Sequence, residues 1–224
     1  MKLLGTMLML ACAAAIPALA QDPVEVSPEH YKVEIDNNYV RVLRGTRGGY
    51  EKAPMHSHPD YVAVYLTSVD QKITMPDGKV TEVHRKAGEV SFSKAVTHAE
   101  ENISDKPLEV LVVELKPGAA PSSAEWTGLD PVKVDPKHHK VEFENERIRV
   151  IRSVREPGAK IPMHEHRHYV TIALTDVNSK TTLADGMTAG NRRKAGEAAW
   201  REAVKHSVEN VGDARMEEIQ IEFK

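Results

Sequence analysis

The sequence contains only one cysteine, Cys12, in a chain of 224 residues. This cysteine lies in an N-terminal segment that we expect to be removed, so the mature protein would contain none. Such a chain cannot form disulfides, use thiolate metal ligands or carry a cysteine nucleophile. Its stability must therefore come from the burial of apolar side chains.

The sequence also lacks a dominant charge. It has 30 Lys and Arg residues against 33 Asp and Glu residues, a formal net charge of -3, without any long run of one sign. Nucleic acids and anionic membrane surfaces attract proteins with concentrated basic charge. We therefore expect neither as a partner.

No apolar run reaches the length of a comfortable membrane span, which is about 20 residues. The run in residues 3–16 follows one lysine and precedes an Ala-Leu-Ala sequence. This arrangement is typical of a secretory signal peptide. We expect residues 1–20 to be removed and the mature protein to be periplasmic or secreted. An uncleaved anchor, or a lipid on Cys12, would hold the same domains outside the cytoplasm.

What the sequence does contain is a duplication. Residues 22–116 align without a gap with residues 130–224, at an offset of 108 residues, and about 42 of the 95 aligned pairs are identical. Self-similarity at one fixed offset indicates repeated structural units. We expect two domains with these bounds, joined by a linker over residues 117–129 that is rich in Pro, Gly, Ser and Ala.

Each repeat contains short runs rich in Val, Ile, Thr and Tyr, separated by turn residues, and no convincing helical stripe. Residues 39–44 and 147–152 alternate like half-buried strands, whereas residues 62–67 form a longer apolar run. Many short strands with Gly and Pro turns indicate a β-sandwich or small barrel. The sequence predicts an all-β protein of two barrels. Each repeat should fold by itself unless the barrels share a large apolar interface.

Both repeats contain a His-x-His pair and a third histidine on a later strand. The six candidate metal ligands are His56, His58, His98, His164, His166 and His206. Because alternate residues of a strand point to the same face, each pair can aim two imidazoles into one barrel. A third imidazole completes a three-nitrogen site with open positions for water or substrate. With unperturbed pKa values near 6.5, such ligands should release a metal ion as the pH falls through about 6 to 5.

These motifs resemble those of the cupins, and their tandem arrangement resembles a bicupin. Besides the six histidines, the matching residues are Gly88, Asn102, Gly158, Gly196 and Asn210. The resemblance covers nearly the whole mature chain. It implies a jelly-roll β-barrel in each repeat with a divalent transition metal near its centre, and it does not distinguish Fe, Zn, Mn, Cu and Ni.

One cupin residue is missing. The Glu that usually follows the His-x-His pair would fall at Val62 and Val170, or one residue on at Ala63 and Thr171, and none of these is a carboxylate. A divalent ion held by three neutral imidazoles keeps its full charge, which favours an anionic ligand in the open positions. The resemblance to oxalate-degrading bicupins is weaker for this reason. Three-His cupins nevertheless include some iron dioxygenases.

Six residues are candidates for a ligand pocket beside the metal. They are Asp60, Val62, Phe92, His168, Val170 and Trp200. Asp60 and His168 occupy equivalent positions and could make the two sites unequal. Phe92 and Trp200 are equivalent aromatic residues, which could pack in a core or form a wall against which a small ligand stacks.

Two further groups are expected to face solvent. The histidines are His30, His84, His138 and His139. The arginines are Arg41, Arg44, Arg47, Arg149, Arg152 and Arg155. The arginines alternate with apolar residues, and anion binding is the less favoured alternative for them.

Three classes of function agree with these observations, which leave open whether the protein is an enzyme. The first is a metal-dependent dioxygenase, isomerase or hydrolase that acts on a small anionic or carbonyl-containing molecule. The second is a non-catalytic protein that binds a small molecule or a metal. The third is a structural barrel protein, which could associate into homo-oligomers and whose histidines need not bind metal. No residue stands out as a catalytic acid or base.

Overall fold

The computed structural model of the protein describes residues 21–118 and 127–224. Within these ranges, each repeat contains one short helix followed by nine strands. The elements of the first repeat are α1 (Pro23–Val26), β1 (Tyr31–Asp36), β2 (Val40–Arg47), β3 (Lys52–His58), β4 (Tyr61–Tyr65), β5 (Val69–Thr74), β6 (Val80–Arg85), β7 (Val90–Ser93), β8 (Val96–Asn102) and β9 (Leu108–Leu115). The elements of the second repeat are α2 (Pro131–Val134), β10 (His139–Glu144), β11 (Ile148–Arg155), β12 (Lys160–His166), β13 (Tyr169–Ala173), β14 (Val177–Leu183), β15 (Thr188–Arg193), β16 (Ala198–Arg201), β17 (Val204–Asn210) and β18 (Met216–Phe223). The expected signal peptide and most of the expected linker lie outside the described residues, so both stay predictions.

The two helices are single turns formed by local capping. Asp22 accepts a hydrogen bond of 2.8 Å from the backbone N–H of Val24, and Pro23 occupies the first turn, where a missing N–H costs nothing. Asp130 and Pro131 play the same parts in α2. In the part of the chain that the structure describes, no helix has the length and apolar character needed to cross a membrane.

Each repeat folds into two antiparallel sheets that form a jelly-roll barrel. In the first repeat the five-stranded sheet has the order β1-β2-β9-β4-β7 and the four-stranded sheet has the order β3-β8-β5-β6. The second repeat has the same orders, β10-β11-β18-β13-β16 and β12-β17-β14-β15. Each of these sheets takes its strands from one repeat only. The predicted fold, two tandem jelly-roll barrels, is confirmed.

The five-stranded sheets of the two barrels pack against each other through a shared apolar core. On β4, Val62 and Val64 are fully buried in this core, whereas Tyr61, Ala63 and Tyr65 face the interior of their own barrel. The shared core consists of Val40, Val42, Val62, Val64, Leu111, Val113, Leu115, Ile148, Val150, Val170, Ile172, Ile219, Ile221 and Phe223. Apolar burial is the dominant favourable term in folding, so each barrel depends on the other for part of its stability. The barrels therefore share a large apolar interface, which is the condition under which a single repeat is not expected to fold by itself.

Arginines of the two facing sheets form hydrogen bonds across this interface. Arg44 Nη2 donates to the carbonyl oxygen of Gly196, and Arg152 Nη2 donates to that of Gly88, both at 2.7 Å. The two contacts are equivalent under the 108-residue offset, so the interface has approximate twofold symmetry. The sequence predicts that both arginines face solvent. Instead each is partly buried between the barrels, because its strand face is covered by the other repeat.

Four of the predicted pocket residues belong to this interface and do not lie beside the histidines. They are Val62, Phe92, Val170 and Trp200. Phe92 stacks on Phe143 of the other repeat, with ring centroids 5.1 Å apart, and Trp200 stacks on Tyr39 at 5.7 Å. Side chains alternate between the two faces of a strand, so a residue on the outer face cannot line the interior of its own barrel. Val62 and Phe92 line a small cavity at this interface instead, and none of the four residues lies beside the histidines.

Candidate metal centres

In each barrel, three histidines converge from two neighbouring strands. β3 supplies His56 and His58, and β8 supplies His98, which is paired directly with His56 in the ladder. The equivalent residues of the second barrel, on β12 and β17, are His164, His166 and His206. All six are buried, and the candidate ligand atoms of each group lie within 4.8 Å of one another. The structure therefore brings together the two sets of histidines that the sequence singles out.

Contacts of the Nδ1 atoms orient the rings. His56 Nδ1 lies 2.7 Å from the carbonyl oxygen of Pro54, and His58 Nδ1 lies 2.7 Å from Glu114 Oε1. The equivalent contacts of the second barrel are His164 with Pro162 at 2.7 Å and His166 with Glu222 at 2.6 Å. A carbonyl oxygen only accepts, so the first histidine of each pair carries its proton on Nδ1 and presents a lone pair on Nε2. A carboxylate behind a histidine, as at the second position of each pair, is the usual outer partner of a metal ligand.

The nitrogen positions of the second barrel fit a bound cation. His164 Nε2 lies 3.1 Å from His166 Nε2 and 3.2 Å from His206 Nε2. Since His164 Nε2 carries no proton, it can accept a hydrogen bond from a protonated Nε2 of a neighbouring histidine, or bind a cation together with the other two nitrogens. Nitrogen ligands bound to one zinc-like ion are separated by about 3.0 to 3.4 Å. The donor set therefore fits a divalent transition metal, and imidazole alone does not select which one.

Burial keeps five of the six imidazoles neutral. Desolvation lowers the pKa of His56 to about 4, that of His98 to about 3 and that of His206 to about 2. Burial also lowers the pKa of His164 and holds that of His166 well below its usual value. Neutral imidazole is the form that binds metal, so protons compete only at a lower pH than the range of about 6 to 5 expected from unperturbed values.

Comparison with known proteins identifies the fold. No family model and no curated protein sequence matches the chain. The structure is similar to AerE from Microcystis aeruginosa, with a TM-score of 0.59 at 12% identity over 87% of this chain and 97% of that chain. It is similar to a cupin 2 conserved barrel domain protein from Leptotrichia buccalis, with a TM-score of 0.55 at 11% identity over 87% of this chain and 88% of that chain. It is also similar to the oxalate decarboxylase of Bacillus subtilis, with a TM-score of 0.57 at 14% identity over 86% of this chain and 74% of that chain.

The chain has the bicupin fold. The resemblance that the histidine, glycine and asparagine motifs indicate is thereby confirmed in three dimensions. At these identities the likeness concerns the fold alone, and the chemistry of the site follows from the side chains of this protein.

The two barrels of the protein have different interiors. In the first, Val110 and Val112 of β9 belong to an apolar cluster inside the barrel. In the second, the equivalent residues on β18 are Glu218 and Gln220, both buried. The second interior contains a cavity of about 420 Å³, whose lining includes these two polar residues. The first barrel is packed with apolar side chains where the second has space and polar groups.

The cavity of the second barrel lies next to its histidines and is rich in polar groups. His164 and His206 form part of its lining. The other polar lining residues are His139, Arg155, Tyr169, Thr171, Ser179, Thr181, Asn191, Arg193, Arg201, Glu202, Glu218 and Gln220. Thr171, one of the positions where the usual cupin Glu could fall, is thus an inward residue. A small polar molecule would find many hydrogen-bond partners in this cavity.

Two arginines in this cavity, one buried and one partly buried, share a single carboxylate. Arg155 Nη2 donates to Glu218 Oε2, and Arg193 Nη2 donates to Glu218 Oε1. Burial lowers the pKa of both guanidinium groups to about 10, so they stay charged at neutral pH and the three residues carry a net positive charge. The Nε atoms of both arginines and Oε1 of Gln220 are buried and have no hydrogen-bond partner among the described residues. Buried polar groups normally have partners, so these atoms are available to a polar ligand.

The first centre has a carboxylate at a position that the cupin motif does not predict. Glu100 Oε1 lies 3.8 Å from His98 Nε2, and Glu100 Oε2 lies 3.9 Å from His56 Nε2. Glu100 Oε2 also pairs with the buried Arg47 and accepts a hydrogen bond of 2.5 Å from Tyr31 Oη. The first centre is therefore surrounded by a hydrogen-bonded network of charged side chains inside an apolar barrel.

Asp60 and His168 lie outside both centres. Asp60 accepts a hydrogen bond of 2.9 Å from the backbone N–H of Ala95 and pairs with Lys94 at 3.2 Å. His168 Nδ1 lies 2.6 Å from a carboxylate oxygen of the exposed Glu202. Both residues occupy the turn that follows the His-x-His strand, where the chain has already left the barrel interior. The prediction that they line a pocket beside the metal is wrong.

The structure adds three candidate functional residues that the sequence-based prediction placed at the surface. His139, expected at the surface, is buried, and its ring centroid lies 5.3 Å from that of His164. Desolvation lowers the pKa of His139 to about 3. Arg47 and Arg155, also expected to face solvent, are buried inside the barrels. The sequence contains a signal for these arginines, because both repeats have an arginine at this position. Both repeats likewise have a glutamate behind the second histidine, Glu114 and Glu222.

Proposed function

We propose that the protein is an exported bicupin that binds divalent transition metal at its two three-His groups and acts on a small anionic or carbonyl-containing molecule in the second barrel. The observation that carries this proposal is the cavity of about 420 Å³ beside His164 and His206, with its positively charged arginine pair. Export is supported by the sequence of residues 1–20 alone, and association into homo-oligomers stays a prediction.

The chain's own residues define what the cavity can bind. Arg193 and Arg201 line the same cavity, and guanidinium groups bind carboxylates with paired, charge-assisted hydrogen bonds. Ser179, Thr181 and Asn191 offer further hydrogen bonds from the four-stranded sheet. A bound divalent ion supplies a Lewis acid that polarises an oxygen atom or lowers the pKa of bound water. Dioxygenase, isomerase and hydrolase reactions all agree with this arrangement.

Metal content provides the first test. The purified protein should contain about two divalent ions per chain by elemental analysis, and the double variant His56→Ala and His58→Ala should contain about one, because one group of ligands is lost. The double variant His84→Ala and His138→Ala, which changes two histidines outside both centres, serves as the control and should keep its metal. Full metal content in the first double variant would show that the assigned ligands are wrong.

Ligand binding provides the second test. The similar fold of B. subtilis oxalate decarboxylase, whose solved structure concerns Mn(II) centres, makes Mn(II) and oxalate the first pair to try, followed by other small carboxylates. Arg193→Gln should weaken carboxylate binding by about tenfold or more in calorimetry, because a charge-assisted contact is lost. Arg85→Gln, the equivalent change in the first barrel, should have no effect.

The same samples separate an enzyme from a binding protein. Conversion of a bound carboxylate to product would identify an enzyme, whereas saturable binding without product would indicate a binding protein. Binding that is equally strong in the Arg193→Gln variant would place the ligand outside this cavity.

A further inference from the structure

The two histidine groups differ in the residue that lies two positions after the third histidine. In the first barrel this residue is Glu100, on the same face of β8 as His98. In the second barrel it is Val208, on the same face of β17 as His206. Val208 is buried and lines the cavity, so it leaves space where Glu100 places a carboxylate.

The distances place this carboxylate next to the metal position. Glu100 Oε1 lies 3.8 Å from His98 Nε2, and Glu100 Oε2 lies 3.9 Å from His56 Nε2. These values exceed the separation of about 3.0 to 3.4 Å between two ligands of one ion by only a few tenths of an ångström. His98 Nε2 is itself buried and has no hydrogen-bond partner among the described residues. A cation between His98 and Glu100 would satisfy both.

Glu100 also has the outer contacts that a ligand carboxylate needs. The fully buried guanidinium of Arg47 and the hydroxyl of Tyr31 both bind Oε2, which leaves Oε1 on the side of His98. Hydrogen bonds of this kind orient ligand carboxylates in metal sites. Tyr31 Oη also lies 3.1 Å from His56 Nε2, so hydroxyl and carboxylate together fill the space beside the histidines. Their equivalents in the second barrel are a histidine and a valine that line the cavity.

We propose that Glu100 is the fourth ligand of the first centre and that the Tyr31 hydroxyl beside it leaves no room there for an external ligand, whereas the second centre opens to its cavity. This inference rests on the proposed metal binding. A metal ion can act on an external ligand only where the protein leaves room for that ligand beside the ion. The first centre would therefore stabilise its barrel, and the second would bind the ligand.

Titration of the full-length, metal-free protein with Co(II) tests this inference, because the visible absorption of Co(II) reports its ligands. The wild-type protein should show two classes of site with different spectra and affinities, and added azide should shift the spectrum of one class only. Glu100→Gln should lower the affinity of the other class by at least about tenfold and change its spectrum. Glu101→Gln is the matched control, since Glu101 points to the opposite face and pairs with the exposed Lys52 at 3.4 Å. It should change neither class.

Val208→Glu supplies the converse test. It should tighten Co(II) binding at the second centre and abolish the azide shift. Two unaltered classes in the Glu100→Gln protein would overturn the inference and leave Glu100 as an ion-pair partner of Arg47. Two identical centres in the wild-type titration would also overturn it, and that result does not depend on the folding of any variant. Failure of the wild-type protein to bind Co(II) at all would instead refute the proposed metal binding.

Discussion

The carboxylate behind His166 shows how a single residue controls a candidate metal ligand. Glu222 contacts His166 Nδ1 at 2.6 Å, and burial raises the pKa of Glu222 to about 7 although Arg149 opposes the shift. In its ionised form this carboxylate holds the proton on Nδ1 and leaves Nε2 for the metal. Position 222 thus belongs to the site although it lies 56 residues from its histidine.

Replacing this carboxylate gives the first residue-scale prediction. Glu222→Gln should lower the metal affinity of the second centre by about 10-fold to 100-fold, because the outer partner of His166 loses its charge. Competition with a chromophoric chelator measures this change. Glu217→Gln, on the opposite face of β18, is the control and should have no effect. Equal affinity in both variants would show that His166 does not depend on Glu222.

A second residue-scale prediction concerns the position of the missing cupin Glu. Val62 is fully buried in the core between the barrels, whereas Ala63 faces the interior of its own barrel. Val62→Glu should therefore destabilise the protein by about 3 kcal/mol or more, because it buries a carboxyl group without a partner, and should not change metal affinity in the folded protein. Urea denaturation and metal titration measure both quantities. A stable Val62→Glu protein with tighter metal binding would place Val62 inside the barrel.

At the scale of elements, β18 shows why the polarity of a strand does not reveal which face lies inside. Its outward residues are Ile219, Ile221 and Phe223, which belong to the core between the barrels. Its inward residues are Glu218, Gln220 and Glu222, which contribute to the cavity and to the outer contact of a histidine. The apolar face thus packs on another sheet, and the polar face lines the barrel. A prediction that places the apolar face of every strand inside the barrel would therefore assign the two faces of β18 the wrong way round.

The same arrangement predicts the behaviour of one repeat in isolation. A fragment of residues 22–116 would expose Val42, Val62, Leu111 and Val113, which are buried against the second repeat. Exposed apolar patches of this kind drive association. The fragment should therefore form dimers or aggregates in light scattering, while the full chain at the same concentration should not associate through this face. A monomeric and stable fragment would contradict the shared core.

At the scale of the whole molecule, buried histidines couple folding to pH. Burial lowers the pKa of His56, His98, His139 and His206 to values between about 2 and 4. The unfolded chain takes up protons at these residues below pH about 6.5, and the metal-free folded chain does not. The free energy of unfolding is therefore largest above that pH and falls on acidification, with a limiting slope of roughly 5 kcal/mol per pH unit for four such residues.

Urea denaturation of the metal-free protein at several values between pH 7.5 and 5 checks this prediction. Saturating metal should raise the free energy of unfolding at each pH, because a ligand that binds only the folded state stabilises that state. A free energy of unfolding that stays constant from pH 6.5 to 5 would show that the histidines are not buried as described.

The duplication, the all-β class, the cupin motifs and the two groups of three histidines can all be predicted from the amino-acid sequence. These features depend on spacing along the chain, and an i, i+2 pair such as His56 and His58 lies on one face in any strand. Which face of each strand lies inside its barrel depends on how the sheets pack in three dimensions. Alternation defines two faces without assigning them, and the packing of one barrel on the other buries Val62 outside its barrel while Glu218 faces inward. Glu100 could not be assigned for the same reason, because its contact with His56 depends on the pairing of β3 with β8, across 44 residues of sequence.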